Sequence, residues 1–402
     1  MTGKPEILFL SHRIPFPPDK GDKIRSWRLL GHLCERFRVH LACFVDDSAD
    51  FIHQSALEAV CESVALVPLD PLFARARSVV GFITGEALTF PYYRDQRMAE
   101  HSARLRARPL AAEIAFSSAM APYLEEAVEG RPRIVDFCDA DSMKWRQYAA
   151  RAKGPMRFVY AREAMLLAEA ENAIAGWAEA RFAITPVEAA VFNDRPGVDA
   201  KVDWWANGVD ANYFDPAFGY APLDRTADVI FTGAMDYQPN MDAVAWFVRE
   251  IWPTVRQRRP DSRFAVIGPR PARALRALDG RNGVIVTGRV DDVRPWLAQA
   301  GAVVAPMRIA RGVQNKVLEA MAMARPVIAT QAAAEGIEAE PGADLIVADA
   351  APAFAEALST VLEAPEKAAA LGRSARVRVC EGYEWAARLR RFDAALERLG
   401  VA

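Results

Sequence analysis

The chain has no apolar run that reaches the roughly 18 to 20 residues a membrane-spanning helix needs, so no such span is expected. It has no bias of charge: 50 Lys and Arg stand against 52 Asp and Glu, a net of −2. That removes any global pull toward nucleic acid and leaves only local basic patches open. Cysteine is scarce and unpatterned. Cys34, Cys43, Cys61, Cys138 and Cys380 are odd in number and lack CxxC spacing, which fits reduced thiols in the cytoplasm better than a disulfide or zinc framework. No secretory signal is expected, because Met1-Thr2-Gly3-Lys4-Pro5 leads straight into a short strand. That strand runs into His12-Arg13-Ile14-Pro15 and not into a GxGxxG turn, which argues against a dinucleotide-dependent dehydrogenase.

What is present is an alternation of short apolar strands with helical stretches over 402 residues, enough for two domains. Residues 6–10, 39–45, 64–67, 114–116, 133–137 and 181–184 read as strands. Helices are expected at 24–37, 56–63, 121–128 and 162–179. The chain changes character at Val202 to Asp210, and the run from Tyr213 to Pro222 reads as a linker. Alternation then restarts with strands at 228–233, 264–268, 284–288, 303–305 and 327–329. Such a pattern means α/β architecture, with two doubly wound parallel sheets. The expected domains are 1–207 and 208–383, with a last helix at about 384–402 free to pack back on the first.

One stretch carries most of the chemistry. Residues 308–330 read RIARGVQNKVLEAMAMARPVIAT, a loop between a strand and a helix with an apolar face. In open α/β sheets ligands bind at such junctions. Gly312 admits backbone N–H groups close to an anion, and the helix N-terminus adds positive potential. Lys316 and Glu319 are three apart and share a helix face. With Arg308 and Arg311, they offer cations for phosphate oxygens beside a carboxylate for two vicinal hydroxyls. That set suits a nucleoside diphosphate; a plain surface ion pair is the competing reading for Lys316 and Glu319.

The second half resembles the donor-binding domain of retaining glycosyltransferases of the GT-B type, family 4. The resemblance rests on Asn207-Gly208-Val209-Asp210, Phe231-Thr232-Gly233, Val266-Ile267-Gly268, Gly288-Arg289-Val290-Asp291-Asp292-Val293 and Gly312 to Ala320, in that order. The first half, from Ser11 to Arg25 and from Asp136 to Trp145, looks like sugar transferases of exosortase (PEP-CTERM) exopolysaccharide clusters. The resemblance implies two Rossmann-like domains facing a cleft. It also implies a nucleotide-sugar donor, and a glycan or polyprenyl-linked acceptor. One departure stands out: many family 4 enzymes carry two glutamates eight positions apart, and here the first place is Arg311, which leaves the donor sugar open.

On this resemblance Gly21, Gly233, Gly268, Val290, Arg308, Gly312, Lys316 and Glu319 border the donor. His12, Arg25 and Asp139 lie on the acceptor side, and Lys316, Arg311 and Asp139 are the catalytic candidates. Asp141 or Ser142 reads as a helix cap. Gly21 and Gly268 also fit ordinary turns. Breaking a sugar–diphosphate bond builds charge on the leaving group, which preorganised cations stabilise. No DxD cluster and no His/Cys ligand spacing occurs in the second half, so no metal or other cofactor is expected. Trp385, with Leu389 and Phe392, reads as packing. Leu72 to Ile83 combines apolar bulk with two arginines and fits either a core helix or a segment lying on the inner face of the plasma membrane. A nucleotide-sugar 2-epimerase and a non-catalytic nucleotide-sugar-binding protein remain the alternatives.

Overall fold

The computed structural model describes residues 3–195, 201–310 and 312–401. The chain forms two compact units, Met1–Trp205 with Leu389–Ala402, and Ala206–Arg388. In the first, β1 (Glu6–Ser11), β2 (Arg38–Val45), β3 (Ser63–Pro68), β4 (Leu110–Phe116), β5 (Arg133–Cys138), β6 (Ala180–Ala183) and β7 (Asp203–Trp204) make one parallel sheet. Their order is β3-β2-β1-β4-β5-β6-β7. In the second, β8 (Val229–Thr232), β9 (Phe264–Ile267), β10 (Val284–Gly288), β11 (Ala302–Ala305), β12 (Val327–Ala329) and β13 (Ile346–Val347) are ordered β10-β9-β8-β11-β12-β13, again parallel.

The central strands are near-continuous Val, Ile, Leu, Phe and Ala because helices cover both faces; every residue of β8, β9 and β11 is buried. Each sheet reverses its order once, between β1 and β4 and between β8 and β11. Strand ends splay apart at such a reversal and leave a crevice. The C-terminal ends there carry His12 in one unit, and Gly233 and the loop after Ala305 in the other.

Several local expectations change. The helix expected at 121–128 is a 3₁₀ segment, Ser118–Leu124, which contains Pro122 and gives way to irregular chain after Leu124. A proline lacks the N–H that an α-helix would need there. The helix expected from Arg162 begins at Pro155 and runs to Trp177, with proline in its first turn. Tyr213 to Pro222 is no linker, because the Arg376 guanidinium donates to Phe214 O at 2.8 Å and Arg294 stacks 3.8 Å over the Tyr213 ring. Asp141 is the first residue of the helix Asp141–Arg151, whose N-cap is Ala140, so neither Asp141 nor Ser142 caps it. The Ser142 hydroxyl instead donates to the buried Glu171 at 2.6 Å.

Candidate functional site

In the second unit the helix Asn315–Ala322 buries Val317, Leu318, Ala320 and Met321 against the sheet. That leaves Lys316 and Glu319 on its other side, beside the β8/β11 reversal. The Lys316 ammonium donates to Asn240 Oδ1 at 2.7 Å, lies 3.8 Å from Met307 Sδ and sits 4.8 Å over the Phe231 ring. Burial pushes its pKa down to about 8 against the opposing pull of the Glu319 carboxylate. Burial pushes Glu319 up to about 7, opposed by Lys316. Among the described residues no hydrogen bond engages the Glu319 carboxylate, so its two oxygens stay available to a pair of hydroxyls. A cation held by one amide, a thioether and a ring face is poised for an anion.

Glycines shape the floor. Gly233 and Gly268 follow β8 and β9 directly, each with φ of 152°, and a Cβ on Gly268 would lie 1.8 Å from the Gly233 carbonyl oxygen. A Cβ on Gly233 would meet the Asn240 amide at 2.7 Å. Their first duty is thus to let two loop backbones touch and to seat Asn240. Gly312, at φ 63°, takes a left-handed turn three residues before the helix Asn315–Ala322. Val290 is half-buried after β10. One expectation shifts. Arg308 turns to the Asp242 carboxylate and forms a bidentate, largely exposed ion pair, whereas Lys316 is half-buried. Arg311 lies outside the described residues.

In the first unit, His12 follows β1, stacked at 7° on Phe116 with Tyr93 edge-on. Its Nε2 is 3.4 Å from Asp22 Oδ2, while its Nδ1 is buried without a hydrogen-bond partner. Burial would raise Asp22, but the His12 hydrogen bond and the Arg13 charge hold it well below the usual carboxylate range. Asp139 follows β5; its Oδ1 is buried with no hydrogen-bond partner. Burial, then the negative charges of Glu188 and Asp141, pushes Asp139 up to about 7. Ser117 follows β4 and Cys138 ends β5, with φ of 82° and 62°, and such strain in non-glycine residues concentrates at functional sites.

Arg25 requires correction. It is 1% exposed, donates from Nε and Nη2 to Asp136 at 3.0 and 3.1 Å and from Nη1 to Trp205 O at 2.6 Å, and lies 3.3 Å over the Trp205 ring. With its donors engaged inside the first unit, it ties β5 to the chain just after β7 and does not face an acceptor. Gly21 is exposed with no atom within 4 Å of a built Cβ, and it opens the helix Gly21–Arg36. No close approach there demands glycine.

Sequence reasoning missed Asn240, which lies beyond Gly233 and holds Lys316 across 76 positions. It also passed over Asn207 as a site residue. Asn207 is buried, donates to Asn315 Oδ1 at 3.2 Å beside Lys316, and keeps Oδ1 without a partner. A buried polar atom usually has a partner, so two amides pointing at one helix start were the available signal. Among the described residues no three His, Cys, Asp or Glu side chains gather as a metal-binding group.

Residues 226–364 match the family described as glycosyl transferases group 1. A search of curated protein sequences gives no match. Among solved structures, sucrose-phosphate synthase from Thermosynechococcus elongatus aligns at a TM-score of 0.70 and 17% identity, over 98% of this chain and 99% of that one. Anabaena HepE in complex with UDP-glucose aligns at 0.68 and 15%, over 98% and 100%. WaaG, a glycosyltransferase involved in lipopolysaccharide biosynthesis, aligns at 0.63 and 14%, over 97% and 98%. Two parallel α/β units matched along nearly their whole length give this chain the GT-B fold, with a stretch of the second unit similar to the group 1 glycosyl transferases.

Proposed function

We propose that the chain is a retaining, family 4-type hexosyltransferase of bacterial exopolysaccharide synthesis. It takes a sugar from a nucleoside diphosphate and passes it to a glycan or polyprenyl-linked acceptor at the inner face of the plasma membrane. The observation that carries this is the half-buried Lys316 beside Glu319, whose carboxylate has no hydrogen bond among the described residues, at the β8/β11 reversal. The second unit is the donor side, with Glu319 on the ribose hydroxyls, Val290 at the base and Lys316 on the diphosphate. The first is the acceptor side, with His12 and Asp139. A uridine nucleotide is the first donor to try, since HepE holds UDP-glucose.

As the bond from the anomeric carbon to the β-phosphate oxygen breaks, its electron pair stays on the phosphate, where Lys316 stabilises it. The acceptor hydroxyl bonds the same face of the sugar and yields its proton to that phosphate oxygen. Asp139 accepts a hydrogen bond from the acceptor. The cation is supplied by protein, so the reaction is proposed to need no metal. The test combines thermal shift with UDP-, GDP- and ADP-sugars, where binding stabilises by about RT ln(1 + [L]/Kd), with nucleotide release in chelator. One nucleotide should raise the melting temperature, and release should persist in chelator and accelerate with acceptor. No shift with any nucleotide defeats the reading, and donor conversion without acceptor replaces it with an epimerase.

A further inference from the structure

We infer that Ser63, His40 and Glu6 form a nucleophilic triad at the edge of the first sheet, where the Ser63 hydroxyl attacks small esters with good leaving groups. The parallel register brings the three together. Glu6 opens β1, His40 pairs with Leu8 from β2, and Ser63, which opens β3, is the register partner of His40. His40 Nδ1 lies 2.7 Å from Ser63 Oγ, and its Nε2 lies 3.1 Å from Glu6 Oε2. Carboxylate, imidazole and hydroxyl in that order, each within hydrogen-bond reach, make a serine nucleophile, which is recognised by geometry and roles and not by fold. Ser63 is exposed, whereas Glu6 is half-buried and His40 only 2% exposed. Because β3 is the outer strand of the sheet, the hydroxyl meets solvent while the base behind it is held in place. Glu6 and Ser63 begin their strands, whereas His12 and Asp139 follow the ends of theirs, so the triad is separate from the site described above.

Charge sets the tautomer. Arg108 donates to Glu6 Oε2 at 2.8 Å and to Oε1 at 3.1 Å, and Arg38 pairs with the same carboxylate. A carboxylate so held accepts hydrogen bonds and donates none. The imidazole therefore carries its proton on Nε2 and turns the lone pair of Nδ1 to Ser63. Burial, then the Arg108 charge, hold His40 below its usual value against the pull of Glu62, so the ring is neutral near pH 7 and ready to act as a base. In the first step Ser63 Oγ bonds the ester carbonyl carbon while its proton passes to Nδ1. The bond from that carbon to the leaving oxygen then breaks, and the leaving group departs as an alcohol or phenol with the proton from Nδ1. Water repeats the sequence on the acyl-serine, which releases the acid and restores the hydroxyl. None of this depends on glycosyl transfer.

The test is labelling of the full chain with a fluorophosphonate, which forms a bond from serine Oγ to phosphorus and releases fluoride, followed by intact mass and peptide mapping. A single adduct on Ser63 is expected, with the other serines of the chain as the internal comparison. p-Nitrophenyl acetate should likewise give a burst of nitrophenolate and an acetyl group on Ser63. Ser63→Ala, at an exposed position, should melt like wild type and take up no label. His40→Gln should slow labelling about 100-fold or more, the contribution of a general base. Glu6→Gln presents an amide that can place the ring proton on Nδ1, the wrong tautomer, and should slow it on the same scale. Because His40 is buried, Glu6→Gln and Ser63→Ala keep the question decidable if the histidine variant does not fold. Absence of an adduct on Ser63, an adduct that survives Ser63→Ala, or a labelling rate left unchanged by Glu6→Gln overturns the inference.

Discussion

The two sheets reverse their strand order in the same way, yet the charges at the two reversals are in opposite conditions. In the first unit most are matched: Arg25 with Asp136, Arg13 with Asp22 and Asp46, Lys23 with Asp50. In the second, Lys316 leans on an amide, and the Glu319 carboxylate makes no hydrogen bond among the described residues. Matched charges fix strands and loops; under-matched buried ones lower their own stability and await a ligand that completes them. Asp139 is the exception in the first unit and behaves like the second.

If that contrast is real, substitutions should separate into stability losses in one unit and function losses in the other. The largest effect is expected from Asp136→Ala, which strands the Arg25 guanidinium in the core. Breaking a buried pair costs about 3 to 5 kcal/mol, readable by denaturant unfolding, whereas an unfolding curve like wild type would deny the pair its scaffold role. Lys316→Ala should cut kcat by about 100-fold or more with little change in melting, the scale of losing one preorganised charge stabiliser. Near-normal turnover would reduce Lys316 to packing.

Asp139→Asn sharpens the exception. A carboxyl raised from its unfolded value to about 7 holds its proton more tightly in the folded state, so stability falls as pH rises from about 4 to 7. The amide should remove that fall and stabilise the protein at pH 8 by about 1 to 3 kcal/mol, while weakening acceptor use. Matching melting curves for wild type and variant at pH 5 and pH 8 would contradict the burial argument. Glu319→Ala should raise the donor KM about tenfold and weaken free nucleotide equally, with kcat less affected, because ribose contacts exist before and during reaction. Arg308→Ala should be mildest. Its pair with Asp242 is exposed, and such pairs contribute about 1 kcal/mol or less, so a large loss of turnover would return Arg308 to the donor.

Much of this architecture is legible in the sequence because parallel strands covered on both faces leave unbroken apolar runs, and the Gly312 to Glu319 segment carries its chemistry at helical spacing. Arg25 was misassigned because its carboxylate partner is 111 positions away. A motif reading sees an arginine near a ligand-binding loop and has no view of what already surrounds it. Asn240 escaped for the mirror reason: an amide near the start of the helix Gln238–Trp246 looks like any polar helix residue until Lys316 is placed beside it. The face around Ile83 has readable periodicity, but periodicity names an apolar stripe without naming what covers it.

The return of Leu389–Ala402 to the first unit has a consequence for synthesis. Phe392 packs 5.1 Å from Phe182, and Asp393 lies 2.8 Å from both His32 Nε2 and an Arg36 guanidinium nitrogen. A ribosome releases those residues only after all of 206–388. The first unit therefore waits, with the floor around Phe182 and Trp205 uncovered, while the second unit has its complete sequence and can close. Nascent chains arrested before Leu389 should show a protease-resistant second unit and a first unit still open to cleavage.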